Sequence, residues 1–396
     1  MTETRGATRM STWHIITGEY PPASGGVSDY CHAVAAGLAA AGDEVHVWCP
    51  AAPAPPTEVP GVRVHAIAGS WTKADRDRID RALDALPGEK RLLLQWVPHA
   101  FGGRSMNVGF CRWMRKRACA GDTLDVMVHE PGLGFGEGAL RHNAAAAIHR
   151  VMLALLLRRA RRVWISIPAW AERLRPMAFG RPDMIFFWLP IPSTIPVADS
   201  NGAVSRLKTA TLVRDDGVIV GHFSTYPPDV REALRAMLPA LLAGIPEIQV
   251  ELLGRGGDKV VAELRSSLGS TAWRVRAPGD LSADSLSHHL QTCDLLLQPY
   301  ADGASTRRTT LMTALAHGIP VVTTIGRLSE AFWRDSDAVT AVPAGDLPAA
   351  ARAVRDLVSQ PERRRLLGSA ARATYEARFS LAHVIRALRS DAGMVH

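Results

Sequence analysis

Short apolar runs alternate with amphipathic helical stretches along nearly the whole chain. An apolar run at residues 13–17 is followed by a glycine-containing loop and by a helical stretch at residues 28–41, which has an apolar residue every three or four positions. Gly42 ends this stretch as a helix C-cap would. This order predicts a parallel sheet with helices on both faces. Further strands are predicted at residues 44–49, 63–67, 92–96, 124–128 and 163–166.

A second series of strands and helices follows a proline-marked stretch. Pro190, Pro192 and Pro196 open a polar segment that extends to about Asp216, which predicts a linker. Beyond it, strands are predicted at residues 217–222, 248–253, 273–276, 295–298, 319–323 and 338–342. A chain of 396 residues is too long for one ordinary core.

We therefore expect an α/β protein with two Rossmann-like, doubly wound parallel-sheet domains. The first is predicted at residues 1–195, the linker at 196–216 and the second at 217–377, with a last helix at about 378–396 that crosses back to the first domain. Ligands bind at the carboxyl ends of the strands in such sheets, so the expected site faces a cleft between the domains.

Composition narrows the class of protein. The hydrophobic fraction of 47% and the charged fraction of 21% are those of a globular protein, and no apolar run reaches the ~18 residues of a membrane span. Residues 1–10 are polar and precede no apolar segment, so a signal peptide is not expected. The five cysteines are scattered, which favours a reducing cytoplasm and argues against a metal site or a disulfide framework.

The net charge is +8, and part of the excess comes from arginines clustered at residues 158–162 and 363–365. Solvated helix faces are favoured over nucleic-acid binding, because no zinc finger, helix-turn-helix or aromatic-basic RNA signature accompanies these residues. Residues 148–162 are apolar and then basic. This pattern fits a peripheral contact with the inner membrane, and it equally fits a core helix whose C-terminal cations interact favourably with the helix dipole.

The most informative motif is a loop of small and basic residues between an apolar strand at 294–300 and the strand at 319–323. Ser305 and Thr306 lie where a helix is predicted to begin, and Arg307 and Arg308 follow them. Free backbone N–H groups at a helix N-terminus and guanidinium groups both bind phosphate, so the motif predicts a diphosphate site. The alternative is a surface helix with Ser and Thr caps and solvated arginines.

The motifs taken together resemble a known enzyme family. Gly18-Glu-Tyr-Pro-Pro-Ala-Ser-Gly-Gly26, Gly254-Arg-Gly-Gly257, Cys293-Asp-Leu-Leu-Leu-Gln-Pro-Tyr300 and Ala314-Leu-Ala-His-Gly-Ile-Pro-Val-Val322 are similar to landmarks of the retaining glycosyltransferases of family four, which have the GT-B fold. The resemblance implies a hexosyltransferase-like enzyme with a nucleoside-diphosphate sugar as co-substrate and no metal or other cofactor. It also implies a front-face route, in which the departing phosphate oxygen takes the acceptor proton.

Several site residues carry over from this resemblance. Gly25 and Gly26 match the glycine pair whose loop approaches the donor diphosphate, and His129 matches the active-site histidine that contacts the donor sugar. The expected acceptor loops are residues 96–103 and 130–136. The complete set of expected site residues is His129, Arg307 and Arg308 for catalysis, Gly25, Gly26, Gly254, Asp302, Gly303, Ser305, Thr306 and Thr313 for the donor, and Tyr20, His99 and Glu130 for the acceptor.

The chain departs from the family where two glutamates usually stand seven residues apart. Alignment on residues 314–322 puts Ser305 and Thr313 at those positions, or else Asp302-Gly303 replaces the usual Glu-Gly. The cations expected after the first strand of the second domain are also missing, and Arg307 and Arg308 are expected to supply that charge. Two alternatives stay open beside the transferase: a catalytically silent scaffold or partner subunit, and a sugar-nucleotide epimerase or phosphorylase. The acceptor is a small molecule, a lipid-linked molecule or a glycan.

Overall fold

The computed structural model describes residues 11–136, 138, 140–212 and 217–390, which form two compact units. The first unit comprises Met1–Pro190 together with Leu381–His396, and the second comprises Ile191–Ser380. The polar segment at residues 1–10 and residues 391–396 of the predicted last helix lie outside the described residues.

The first unit contains a seven-stranded parallel sheet in the order β3-β2-β1-β4-β5-β6-β7. Its central strands are apolar and buried, as expected for a sheet covered by helices on both faces. The strands are β1 (Thr12–Ile16), β2 (Glu44–Pro50), β3 (Val62–Ala68), β4 (Arg91–Trp96), β5 (Thr123–Val128), β6 (Arg162–Ile165) and β7 (Phe186–Trp188). The helices are α1 (Gly26–Ala40), α2 (Lys73–Asp84), α3 (Val108–Cys119), α4 (Leu140–Leu157) and α5 (Ala169–Leu174).

The second unit contains a six-stranded parallel sheet in the order β10-β9-β8-β11-β12-β13. The strands are β8 (Val218–Phe223), β9 (Ile248–Leu253), β10 (Val275–Arg276), β11 (Leu295–Gln298), β12 (Val321–Ile325) and β13 (Thr340–Pro343). The helices are α6 (Ala203–Thr211), α7 (Pro228–Gly244), α8 (Gly257–Leu268), α9 (Ala283–Thr292), α10 (Thr309–Ala316), α11 (Leu347–Val358) and α12 (Pro361–Arg378). Both sheets therefore have the predicted doubly wound, all-parallel form.

The last described helix, α13 (Leu381–Arg389), belongs to the first unit and packs on α1. Gly37 allows the approach, because a Cβ there would lie 2.8 Å from the side chain of Ile385. An ion pair of 2.9 Å between Arg389 Nε and the buried Asp43 Oδ2 holds the end of the helix.

Three local predictions differ from the structure. The first unit ends at Pro190, and the stretch predicted as a linker contains α6 within the second unit. The three-residue strand β7 is too short for its pattern to predict it. The strand predicted at residues 273–276 is confined to Val275–Arg276, because Gly269–Arg274 forms a 3₁₀ helix.

The basic segments have mostly structural partners. Helix α4 buries an apolar side that includes Met152 and Leu156, as the core-helix interpretation expects. Arg161 Nη2 lies 2.6 Å from Asp125 Oδ2, and Arg364 donates to two backbone carbonyls at the end of α11. No helix within the described ranges combines the length and the apolar character needed to cross a membrane.

Each sheet has a point at which the strand order reverses, between β1 and β4 in the first unit and between β8 and β11 in the second. Open parallel sheets bind ligands at the carboxyl ends of the strands beside this point. In the first unit the two flanking loops touch, because a Cβ on Gly18 would lie 2.2 Å from the carbonyl oxygen of Ala100. In the second unit, Gln298 Nε2 donates to the carbonyl oxygen of Phe223 at 3.0 Å.

Candidate functional site

In the second unit, the loop after β11 gathers two arginines around one carboxylate. Arg307 Nη2 donates to Asp302 Oδ2 at 2.6 Å, and Arg308 Nη2 donates to Asp302 Oδ1. The guanidinium carbon of Arg308 lies 4.8 Å from the centre of the Tyr300 ring. Burial by itself raises the pKa of Asp302, but the charges of Arg308 and Arg307 outweigh it and lower that pKa. The two guanidinium groups and the Asp302 carboxylate thus form one polar cluster at the carboxyl end of β11.

The predicted helix start is shifted along this loop. Helix α10 begins at Thr309, and Thr306 instead donates its backbone N–H and its hydroxyl to Glu330 Oε1, at 2.9 and 2.6 Å. Trp333 Nε1 donates to the other oxygen of Glu330 at 2.6 Å. Burial raises the pKa of Glu330. The Thr306 amide that was expected to bind phosphate is therefore engaged by Glu330, a residue that the sequence analysis missed.

Ser305 and Thr313, the residues aligned with the family glutamates, are both buried. The Thr313 hydroxyl lies 3.1 Å from Ser193 Oγ, and its backbone carbonyl accepts a hydrogen bond from His317 Nδ1 at 2.8 Å. Ser305 Oγ has no hydrogen-bond partner among the described residues. The structure therefore assigns Thr313 to an internal network and leaves Ser305 with an unused hydroxyl beside the arginine pair.

The two donor glycines of the second unit have packing reasons of their own. Gly303 has φ +91°, and a Cβ there would lie 2.2 Å from the backbone nitrogen of Gly326. Gly254 has φ +96°, and its Cβ would lie 2.2 Å from the carbonyl oxygen of Ser224. Both glycines thus allow neighbouring loops to touch at the carboxyl edge of the sheet.

In the first unit, the N-terminus of α1 holds a carboxylate of the chain itself. Burial raises the pKa of Glu19, although the nearby backbone N–H groups of Ser28 and Val27 favour its charged form. A Cβ on Gly25 would lie 2.5 Å from Glu19 Oε2, whereas a Cβ on Gly26 would meet no atom within 4 Å. Gly25 therefore makes room for the Glu19 carboxylate, and a role of Gly25 and Gly26 at the donor diphosphate stays a prediction.

His129 follows β5 directly and is buried. Its Nε2 lies 2.9 Å from Gln95 Oε1, and the Tyr30 ring meets the imidazole edge to face at 4.9 Å between centres. Burial lowers the pKa of His129 to about 3, so the imidazole is neutral at ordinary pH. Because Nε2 then donates to Gln95, Nδ1 is the acceptor nitrogen. The ring is thus a neutral group whose Nδ1 is able to accept a hydrogen bond.

The three expected acceptor residues lie in loops at the same edge of the first sheet, with different exposure. Tyr20 is 3% exposed, and its hydroxyl has no partner among the described residues, so it faces the interior. His99 is exposed in the turn after β4. Glu130 is exposed beside His129.

No cluster of three or more His, Cys, Asp and Glu side chains within the described residues has an arrangement that would hold a metal ion.

Two family models match the chain. A glycosyl transferase 4-like domain matches residues 25–187, and the glycosyl transferases group 1 model matches residues 214–360. A comparison with curated protein sequences gives no match.

Solved structures with the same fold cover nearly all of the chain. Sucrose-phosphate synthase from Thermosynechococcus elongatus is 19% identical, with a TM-score of 0.71 over 96% of this chain and 97% of its own. HepE (Alr3699) from Anabaena, solved with UDP and glucose, is 16% identical, with a TM-score of 0.65 over 96% and 98%. The trehalose-phosphate synthase of Burkholderia xenovorans, solved with glucose-6-phosphate, is 9% identical, with a TM-score of 0.64 over 96% and 98%.

The two models together span most of the chain, one on each unit, and both units have the doubly wound parallel sheets of the similar structures. The chain therefore belongs to the GT-B glycosyltransferases of the family-four type.

Proposed function

We propose that this glycosyltransferase is a retaining enzyme that moves a hexosyl group from a nucleoside-diphosphate sugar to a hydroxyl group of its acceptor. The observation that carries the proposal is the pair Arg307 and Arg308, held by Asp302 at the carboxyl end of β11 beside the point of strand reversal. Fixed cations stabilise a leaving diphosphate without reorganising during the reaction. Asp302 keeps both guanidinium groups in place, and their positive charges attract the diphosphate.

The proposed reaction follows the front-face route. The bond between the anomeric carbon and the diphosphate oxygen breaks, the acceptor oxygen bonds to the same face of that carbon, and the departing phosphate oxygen takes the acceptor proton. His129 contributes its neutral imidazole, whose acceptor nitrogen orients a hydroxyl group of the donor sugar. In this proposal the guanidinium groups supply the positive charge that the leaving group needs, and no metal ion takes part.

The donor base is the first property to measure. Thermal unfolding with UDP, GDP, ADP, CDP and dTDP tests it, since a ligand at 100 times its Kd adds about 2.7 kcal/mol to stability. UDP is the first candidate, because HepE from Anabaena was solved with it. We expect one nucleotide to raise the melting temperature, and the corresponding nucleotide sugar to be consumed when an acceptor is present. The absence of a shift with every nucleotide would favour a catalytically silent scaffold instead.

A further inference from the structure

A cavity of about 210 Å³ lies within the first unit, between the loop after β5 and helices α4 and α5. Its polar lining consists of His149, Arg150, Glu172 and Arg173. The volume suffices for a phosphate or carboxylate group with part of a sugar ring, and it is below the ~300 Å³ at which sites for whole drug-sized ligands begin.

The two arginines that line this cavity have no carboxylate partner among the described residues. Arg150 stacks on Phe135 with its guanidinium carbon 3.7 Å from the ring centre, and its Nη1 is buried without a hydrogen-bond partner in the described part of the chain. Arg173 Nη2 donates only to the backbone carbonyl of Gly132, at 3.1 Å. Arg91 of the same unit, by comparison, is paired with the buried Asp125.

Leaving a buried guanidinium nitrogen without a partner costs free energy, which an anionic ligand would recover. Glu172 is the carboxylate that also lines the cavity, and its side chain is exposed. Two guanidinium groups against one solvated carboxylate leave the cavity with a net charge of +1.

The His149 side chain in the wall of the cavity is held by two hydrogen bonds. His149 Nδ1 accepts a hydrogen bond from the backbone N–H of Leu133 at 3.2 Å, so His149 Nε2 donates to the carbonyl oxygen of Ser105 at 2.9 Å. Burial lowers the pKa of His149 and so favours the neutral imidazole. Gly132 has φ +119°, and a Cβ there would lie 2.7 Å from His149 Nδ1, so a glycine is required at this turn.

The cavity adjoins the strand end that carries His129. The Arg173 guanidinium carbon lies 5.5 Å from the centre of the Trp170 ring, and Trp170 Nε1 donates to the carbonyl oxygen of His129 at 3.0 Å. An anionic group bound between Arg150 and Arg173 would therefore be a short distance along the same loop from the expected sugar-binding imidazole.

We propose that this cavity binds a phosphate group of the acceptor through Arg150 and Arg173. The inference rests on the proposed function, because it assigns the cavity to the acceptor of that reaction. A soluble sugar phosphate and an anionic lipid headgroup carry the same chemistry, so the test includes both.

The test compares the wild-type chain with the double variant Arg150→Gln/Arg173→Gln. Arg158→Gln is the matched control, since Arg158 follows α4 and is exposed. Titration calorimetry measures binding of glucose 6-phosphate, inorganic phosphate and uncharged glucose. Sedimentation with vesicles of phosphatidylcholine, with and without phosphatidylglycerol, measures lipid binding. The variant Arg150→Lys/Arg173→Lys keeps both positive charges, so it distinguishes a loss of charge from a folding defect.

We expect a phosphate-bearing probe to bind the wild type and the control, and its Kd to rise at least about tenfold (about 1.4 kcal/mol) in the glutamine variant. The lysine variant should retain part of this affinity. If the glutamine variant loses only its binding to vesicles that contain phosphatidylglycerol, the anionic group belongs to a lipid. An unchanged Kd in a folded glutamine variant, or no binding of any phosphate-bearing probe to the wild type, would overturn the inference.

Nucleotide binding by the same variants separates the two proposals. A normal nucleotide shift with no arginine-dependent phosphate binding refutes the acceptor cavity and leaves the transferase proposal standing. Arginine-dependent phosphate binding without any nucleotide shift refutes the donor side of the proposed function and supports the anion site.

Discussion

Replacing Arg307 and Arg308 together by alanine should remove most of the affinity for the donor diphosphate. Each guanidinium now makes one charge-assisted hydrogen bond to Asp302, and such bonds contribute roughly 1.5–3 kcal/mol each. A diphosphate must share these donors with Asp302, so we count half of the combined range, which is about 1.5–3 kcal/mol. This corresponds to roughly one to two orders of magnitude in the Kd of the nucleotide.

The assay is titration of the nucleotide identified by the unfolding panel, followed by turnover of its sugar. Arg365→Ala is the control, because Arg365 forms an exposed ion pair with Glu362 in the same unit, and such pairs contribute little. Asp302→Asn is the complementary change. It removes the competing carboxylate, so it should tighten nucleotide binding, although it lowers the stability of the loop.

The alanine variant leaves Asp302 half-buried without its partners, so some loss of stability is expected whatever the role of the site. Nucleotide-induced shifts are therefore compared within each variant. A folded double variant with wild-type nucleotide affinity and near-normal turnover would refute the assignment of the donor diphosphate to this loop.

Three further predictions concern buried groups. His129→Asn should lower kcat roughly ten- to a hundredfold, the effect of one or two lost hydrogen bonds, with little change in nucleotide Kd; unchanged kcat in steady-state kinetics would contradict the role of the imidazole. In urea unfolding, Gly25→Ala should lose about 1 kcal/mol because its Cβ displaces the Glu19 carboxylate from the start of α1, whereas Gly26→Ala should be nearly neutral; equal effects would contradict this account. Burial lowers the pKa of His14 and of His129 to about 3, so below pH ~6.5 the unfolded chain takes up protons that the folded chain does not. Each of these two histidines should therefore lower the free energy of unfolding by about 1.4 kcal/mol for every pH unit below that value. A urea midpoint that does not change between about pH 7.5 and 5.5 would contradict this prediction.

Most of the fold was predictable because parallel strands buried on both faces are continuous apolar runs. The strands at residues 248–253 and 295–298 have the bounds that the pattern predicts. The pattern failed where other forces decide the local structure. The stretch after Pro196 is polar, yet it contains α6, which packs on α9 of the second unit.

The candidate site was less predictable, because it depends on which side chains meet. A strand followed by a small-residue loop and two arginines is visible in the sequence, but their shared partner Asp302 and the engagement of Thr306 by Glu330 are not. Glu330 is 24 positions from Thr306, and no local period relates the two. The position of Glu19, six residues before Gly25, was only a weak indication that its carboxylate would lie at the start of α1.

The sequence by itself determined the two parallel-sheet units, the family and the strand ends at which ligands bind, because burial and turn chemistry are local and periodic. Only the tertiary structure decided which polar groups are free to act. The Glu19 carboxylate lies at the N-terminus of α1, where an anion would bind, and the Thr313 hydroxyl is hydrogen-bonded to Ser193. Arg150 and Arg173 share one cavity without a carboxylate partner among the described residues. These outcomes depend on distances between residues far apart in the chain, which hydrophobic patterning does not encode.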